Sequence, residues 1–349
     1  MTFQHEEFDN HERVIFVSDA ATDLRGIIAI HNTNRGPALG GCRMWEYDDD
    51  RAALTDVLRL SRGMSYKAAL ADLELGGGKS VIIGNPKSKK SPELLRAFAR
   101  AVGDLNGKYY TAEDVGIGLD DISVMRDETN CVVGVPHDQG GSGDPSPTTA
   151  WGVFLGIRCS AQRALGAKDL NGVRVAVQGL GNVGGHLAQY LYDAGAKLIL
   201  ADIDEKRLGG FARKFDAEVE HPDRIHASSA DIFAPCALGA VINDVTLKEL
   251  KVKVVSGAAN NPLHTEAHGR QLFENGVLYA PDYVVNSGGL IRVASERTGF
   301  DAKWVDEKVA GIETTLSEIF DLSDAEGIPT NQAADRVAQS RINTSQKQT

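Results

Sequence analysis

The sequence predicts an α/β protein of two domains, a mixed α/β N-terminal domain followed by a doubly wound one. Three observations predict it. The chain has 349 residues, 42% of them apolar, enough for two cores at roughly 100–200 residues per domain. Its second half alternates apolar runs with helical patterns: RVAVQGLG, a helix to Ala194, KLILADID, a further helix, then ADIFAPCA. That alternation builds a parallel sheet covered on both faces. Between the halves, DQGGSGDPSP at 138–147 holds three glycines, two prolines and no large apolar residue, the composition of a hinge. The expected division is 1–140, 141–325 and a C-terminal helical segment, 326–349, that packs back on the first domain.

The N-terminal elements follow in order. RVIFVSD and LRGIIAIH read as two short strands, the second a near-continuous apolar run. RAALTDVLRLSRGMSYKAALADL sets Leu54, Val57, Leu58, Leu60, Met64 and Ala68 at three- and four-residue spacing, a helix. Then comes LADLELGGGKSVIIG. Glycine costs conformational entropy wherever it is ordered. The run Gly76-Gly77-Gly78 therefore predicts a tight turn or a close backbone approach before a buried strand, SVIIG. Lys79 either starts that strand in solvent or is delivered by the turn into a site. SPELLRAFARAVGDLNG opens on a Ser-Pro helix entry and closes on Asn-Gly, and KYYTAED is a short strand. The tail reads as the end of one helix, a turn and a last helix, frayed over 344–349.

Composition excludes several classes. The net charge is −11 and no basic block occurs, so nucleic acid and anionic membranes have no electrostatic hold on the chain. MTFQHEEFDNHERVIF lacks the apolar core of a signal peptide, and no run approaches the ~18 apolar residues of a membrane span. Cys42, Cys131, Cys159 and Cys236 lie far apart, without metal-ligand spacing and too few for a disulfide scaffold. Reduced thiols in the cytoplasm and no bound metal are expected.

The strongest local pattern is VRVAVQGLGNVGGHLAQYLYDAGAKLILADID. Gly179, Leu180, Gly181, Asn182, Val183 and Gly184 form a GxGxxG after an apolar strand and before an amphipathic helix, and a second strand ends in Asp202. This is the context of a Rossmann-type dinucleotide site. Gly179 permits the tight turn, Gly181 lets backbone approach a pyrophosphate, and Gly184 lets helix and strand pack closely. The helix N-terminus presents free N–H groups to the anion. Asp202 accepts from ribose hydroxyls and repels a 2′-phosphate, which favours NAD over NADP; Lys206 and Arg207 soften that preference.

Lys67 and Lys79 flank the helix end and the glycine run, and Asp114 sits in TAEDVGIGLDD just past a strand. Lysines on one face are ordinarily solvated charge. A cation beside Lys79 lowers its pKa and frees neutral amine, and a carboxylate nearby exchanges protons with a substrate amine or carbonyl. Whether the three converge is a matter of tertiary structure.

Eight segments in order, IAIHNTNRGPALGGCRMW, MSYKAALADLELGGGKSVIIG, YYTAEDVG, GDPSPTTAWGVF, VQGLGNVGGHLA, DIFAPCALGAVIN, GAANNPL and YAPDYVVNSGGLI, resemble the glutamate, leucine, phenylalanine and valine dehydrogenase family, from about residue 10 to about residue 340. The resemblance implies an N-terminal substrate and oligomerisation domain, an NAD domain, and a cleft between them. It implies oxidative deamination of an L-amino acid to a 2-oxo acid and ammonia by a cytoplasmic homo-oligomer. Lys79 would be catalytic, activating water, with the glycines turning the backbone so that its amine enters the cleft. Asp114 would shuttle protons and Lys67 would bind the substrate carboxylate. Gly40 and Gly41 would line the site by backbone, and Asn261 would lie near the nicotinamide and that carboxylate. Cys236, Ala237 and Asn260 would join the fingerprint at the cofactor. By the family pattern the side-chain pocket maps onto Leu39, Ala112, Leu290 and Val293, all aliphatic. A buried glutamate side chain would go unpaired there at a cost of several kcal/mol, so leucine, isoleucine and valine are expected. A non-catalytic NAD-binding regulator and a Schiff-base lyase are the rivals from other classes. The first needs a damaged Lys67, Lys79 or Asp114, and the second needs no dinucleotide.

Overall fold

The computed structural model describes residues 2–345 and divides the chain into two units. The first comprises the chain up to Asp144, Leu290–Trp304 and the residues from Ala338; the second comprises Pro145–Gly289 and Val305–Val337.

The first unit is built on β1 (Arg13–Asp19), β2 (Leu24–Asn32), β3 (Ala38–Leu39), β4 (Cys42–Trp45), β5 (Gly76–Ile83) and β6 (Tyr109–Tyr110), with α1 (Asp50–Leu70), α2 (Pro92–Gly103) and α3 (Leu119–Arg126). The strands lie in the order β1-β2-β5-β3-β6, with β4 also on β5. β1 and β5 run antiparallel to β2, while β3 and β4 run parallel to β5. The apolar run in β2 is explained by burial on both faces. Ile27 and Ala29 meet Ala53, Val57 and Leu58 of α1. Ile28 and Ile30 meet Leu94, Leu95 and Phe98 of α2 and Ile122 and Met125 of α3. Side chains that alternate along a strand feed two separate cores. Asp49 caps α1 by accepting from Ala52 N, and Ser91 caps α2, with Pro92 in its first turn.

The glycine run is not a turn. Gly76, Gly77 and Gly78 are the first three residues of β5, buried in the sheet, and none lies in the left-handed region. Close packing requires them. A Cβ on Gly76 would stand 2.0 Å from Asn32 O, one on Gly77 2.0 Å from Ser65 N of α1, and one on Gly78 2.8 Å from the Tyr109 ring. The other alternative, a close backbone approach, is the one observed.

The second unit contains α4 (Ser146–Leu165), β7 (Arg174–Gln178), α5 (Asn182–Asp193), β8 (Lys197–Ala201), α6 (Glu205–Phe215), β9 (Glu218–Val219), β10 (Ile232–Pro235), α7 (Thr246–Glu249), β11 (Val254–Val255), α8 (Glu266–Glu274), β12 (Leu278–Tyr279) and α9 (Asp282–Val285). Its sheet is parallel throughout, in the order β12-β11-β10-β7-β8-β9. Counted from β7 this is the doubly wound order 3-2-1-4-5-6, whose reversal beside the first strand opens a crevice at the carboxyl ends.

Three helices carry the chain across the division: α10 (Gly288–Ser295), α11 (Ala302–Glu326) and α12 (Thr330–Ser345). The structure therefore parts from the expected domain limits in two places. Residues 290–304 belong to the first unit, because Arg292 Nε donates to Ser142 O and Glu296 accepts from Gly134 N and Ser142 N. Only the end of α12 joins that unit: Arg341 donates to the Ala69 and Leu70 carbonyls, while Thr330 bonds Tyr279 O in the second unit. α12 continues through Ser345, past the start of the expected fraying; 346–349 lie outside the described residues.

Candidate active site

Lys79 is the fourth residue of β5 and is 7% exposed. Its Nζ stands 2.5 Å from Asp114 Oδ2. Arg43, on β4, brings Nε to 3.3 Å from the same oxygen. Arg43 Nη1 in turn donates to Asp56 Oδ2 at 2.8 Å, which also accepts from Tyr47 OH at 2.7 Å. Burial pushes the Asp114 carboxyl up, but Lys79 and Arg43 together outweigh it and hold the group below the usual carboxylate range. Asp114 is therefore ionised at neutral pH, able to take a proton. Of the charged groups the sequence set near Lys79, the Asp114 carboxylate is the one that meets its amine. Arg43 escaped the sequence reading, since CRMW carries no motif and the pairing depends on β4 lying beside β5.

The register shows what shares a face with Lys79. Leu39 pairs with Gly77 and with Tyr110. Paired residues and residues two apart point the same way, so Leu39, Lys79, Tyr110 and Ala112 lie on one face. That is the α1 face, where Ser65 abuts Gly77. Lys67 is three residues from Met64 and shares its side of α1. A Cβ on Gly40 would come within 3.2 Å of Met64 Cγ and 1.8 Å of Gly78 O. At Gly41 a Cβ would stand 2.4 Å from Glu113 O and 3.0 Å from Asp114 Cβ. Both glycines are thus required for α1, β5 and the Asp114 loop to close together. Leu290 is buried and Val293 half-buried, three apart on α10. Four residues beyond Val293, the Arg297 guanidinium lies 4.8 Å over the Tyr110 ring.

In the second unit each glycine of the fingerprint has its own reason. Gly179 has φ +93° at the turn after β7, and a Cβ there would press on Ala237 at 2.7 Å. Gly184 faces Gly179 O, 1.9 Å from where its Cβ would be. At Gly181 a Cβ would meet nothing within 4 Å, and this residue caps α5 with no side-chain hydrogen bond to the helix. The start of α5 thus has open space at Gly181, and Asn182 beside it is exposed. This cradle fits a dinucleotide pyrophosphate. Leu180 is buried, and its N–H donates to Asp202 Oδ2 at 2.6 Å. Asp202 Oδ1 accepts from Asp204 N, and Arg207 Nη1 stands 3.5 Å from Oδ2. Val183 is half-buried on α5. Burial pushes the Cys236 thiol up to about 12, so it stays protonated. Asn260 Oδ1 accepts from Asn286, and Asn261 N donates to Asp282 Oδ2 with φ +49°. Two exposed aliphatic residues at the carboxyl ends of these strands went unnoticed in the sequence: Ile203 beside Asp202, 91% exposed, and Leu238 beside Ala237, 76% exposed.

A buried lysine–carboxylate pair in one unit and a glycine-lined helix start that fits a dinucleotide in the other suit a nicotinamide-dependent oxidoreductase. Comparison with known proteins supplies the particular family. Residues 11–131 match the "Glu/Leu/Phe/Val dehydrogenase, dimerisation domain" profile, and 140–204 and 200–349 match "Glutamate/Leucine/Phenylalanine/Valine dehydrogenase". The chain is 48% identical over 340 residues to leucine dehydrogenase of Bacillus subtilis, covering 97% of this chain and 93% of that one. It is also 48% identical over 342 residues to phenylalanine dehydrogenase of Bacillus thermotolerans, with 97% and 90% covered. The crystal structure of L-tryptophan dehydrogenase from Nostoc punctiforme superposes with a TM-score of 0.88 at 43% identity, over 97% of both chains. The protein belongs to the glutamate/leucine/phenylalanine/valine dehydrogenase family. It is an amino-acid dehydrogenase acting on a CH–NH2 donor, with NAD as cofactor. Among the described residues no helix is long and apolar enough to cross a membrane.

Proposed function

We propose that this enzyme deaminates branched-chain L-amino acids, leucine first and isoleucine and valine with it. Amino acid, NAD+ and water give 2-oxo acid, ammonium, NADH and a proton, reversibly. The observation that carries the reading is the shared sheet face: Lys79, paired with Asp114, lies on one face with the aliphatic Leu39 and Ala112, which Tyr110 flanks. Lys67 holds the substrate carboxylate as a cation. Gly40 and Gly41 line the site with backbone, and Asn261 lies toward the carboxylate and the nicotinamide. Asp114, ionised, takes a proton from the substrate ammonium and so frees the nitrogen lone pair. NAD, when bound, supplies the acceptor for the Cα hydride. Lys79, in its neutral form, then takes a proton from the water that adds to the resulting iminium, and ammonia leaves as the carbonyl forms. Leu39, Ala112, Leu290 and Val293 form the side-chain pocket. Gly179–Gly184, Asp202, Cys236, Ala237 and Asn260 hold the dinucleotide. We place the enzyme in the cytoplasm as a homo-oligomer, a reading supported by the dimerisation profile over residues 11–131.

The test is NADH formation at alkaline pH across a panel of L-amino acids. Leucine, isoleucine and valine are expected to give the highest kcat/KM, within about 1–3 kcal/mol of one another, the discrimination one methylene allows in such a pocket. The relatives named for phenylalanine and tryptophan make those two the informative comparison. Higher kcat/KM on either would overturn the branched-chain reading.

Asp202 tests the cofactor half. Asp202→Gly removes the repulsion of a 2′-phosphate and leaves Arg207, now without one of its two carboxylate neighbours, to meet that phosphate. It also removes the acceptor of Leu180 N, so the fingerprint turn loosens. The NAD/NADP ratio of kcat/KM is expected to fall tenfold or more, about 1.4 kcal/mol, with KM for NAD raised. An unmoved ratio would withdraw the ribose role.

A further inference from the structure

The carboxylate of Glu296 does more than end a helix. It lies one turn past Val293, and the backbone bonds it receives come from a loop 154 and 162 residues earlier in the chain. Gly134 N–H donates to Oε2 at 2.7 Å, and Ser142 donates to Oε1 twice, from N–H at 2.8 Å and from Oγ at 2.5 Å. Three charge-assisted bonds converge on one group. Arg292, on the same turn, donates to Ser142 O. The loop these bonds seize adjoins the pocket wall. Gly134 has φ +80°, and a Cβ there would stand 3.9 Å from the Ala112 Cβ. Thus the segment that carries Leu290 and Val293 is stapled to the segment that backs Ala112, both in the first unit.

We propose that Glu296 is a positioning residue for the amino-acid side-chain pocket: it sets the separation between the α10 wall, Leu290 and Val293, and the Ala112 wall, and so sets which side chains the enzyme prefers. The proposal rests on the pocket assignment given above. Glu296 has no part in the chemistry at Lys79 and Asp114. Its loss acts on the fit of the bound side chain, which is felt in KM and in the choice among substrates, and much less in kcat.

Glu296→Gln tests this at constant size. One glutamine oxygen accepts on one side only, and the amide NH2 then faces an N–H or O–H donor on the other, so one limb of the staple breaks. KM for the preferred amino acid is expected to rise about tenfold, with kcat within about threefold and KM for NAD within about twofold. The ratio of kcat/KM between the largest and smallest side chains that wild type accepts is expected to fall at least fivefold. Ser142→Ala removes only the Oγ donor and is expected to move KM and that ratio in the same direction by about two- to threefold. The double variant is expected to move KM and the ratio further in the same direction, by at most the product of the two single effects. A fall in melting temperature with KM and the ratio unmoved would make Glu296 merely structural and overturn the proposal; so would a loss confined to kcat. If Glu296→Gln does not fold, Ser142→Ala decides alone, and wild-type KM and ratio in that variant overturn the proposal. All ratios are taken on the substrates the wild-type panel identifies. A panel led by an aromatic amino acid therefore defeats the branched-chain reading without touching this one.

Discussion

Lys79→Ala is expected to lower kcat for the amino acid by about 10³-fold, within the 10²–10⁴ range of a positioned proton-transfer group, and to leave NAD affinity unchanged. The amine is buried and stands 2.5 Å from Asp114 Oδ2, while the proposed dinucleotide site, Gly179–Gly184 and Asp202, lies in the other unit. The loss should therefore appear in turnover and not in cofactor binding. A second consequence follows from the charges. Asp114 is held low by Lys79 and Arg43 against the upward push of burial. Without Lys79, burial is opposed mainly by Arg43, so the Asp114 carboxyl rises and the acid limb of the pH–rate profile moves to higher pH. Stability that depends on ionised Asp114 is present above its unfolded value and fades as pH falls; in the variant the fading starts at higher pH. Lys79→Arg keeps the cation beside Asp114 but cannot deprotonate. It should restore the position of the acid limb while leaving kcat low. The measurements are NADH formation against pH and NAD titration followed by fluorescence. Turnover of Lys79→Ala within fivefold of wild type would remove the lysine from the reaction.

Gly77→Ala is expected to cost about 3 kcal/mol or more, the upper range of overpacking, or to prevent the first unit from folding. The added methyl would stand 2.0 Å from Ser65 N and 2.3 Å from Ser65 Oγ. The first of these is helix backbone and cannot rotate away, so α1 must lift from β5. That helix closes the core of Ile27, Ala29 and Val81, and its last turn carries Lys67. Any folded variant should therefore lose affinity for the amino acid as well as stability. Gly63→Ala, in the same helix with nothing within 4 Å of the new atom, is the control. It should be neutral or stabilising by up to ~1 kcal/mol. Thermal unfolding of the two variants reads the contrast directly. Equal melting temperatures would mean that α1 can yield at Ser65, and the packing account of the glycine run would fail.

Local pattern carried much of this protein. β1 was legible to the residue, as an apolar run, 14–17, between polar residues. β2 was legible apart from its last residue, as a continuous apolar run. α2 announced itself with Ser91 and Pro92, and the dinucleotide cradle with three glycines, a strand before them and an acid after the next strand. Each of these is set by neighbours a few residues away in the chain, within reach of backbone sterics and helix capping.

What only the tertiary structure decided are the features set by partners distant in sequence. Triple glycine reads as a tight turn or as a close backbone approach; Ser65, Asn32 and Tyr109 choose, and none of them is local to the run. Arg43 joins Asp114 only because β4 and the loop after β6 meet beside β5. Residues 290–304 look like any helix of the doubly wound unit, since periodicity reports that a face is buried and not what buries it. Their allegiance to the first unit comes from hydrogen bonds of Arg292 and Glu296 to a loop 150 to 162 residues away. Sequence by itself determined the elements, the dinucleotide fingerprint and, through resemblance, the family. Folding alone decided which side chains share a face with Lys79, because that depends on strand order and register, which are energies of pairing between segments and leave no mark on either segment alone.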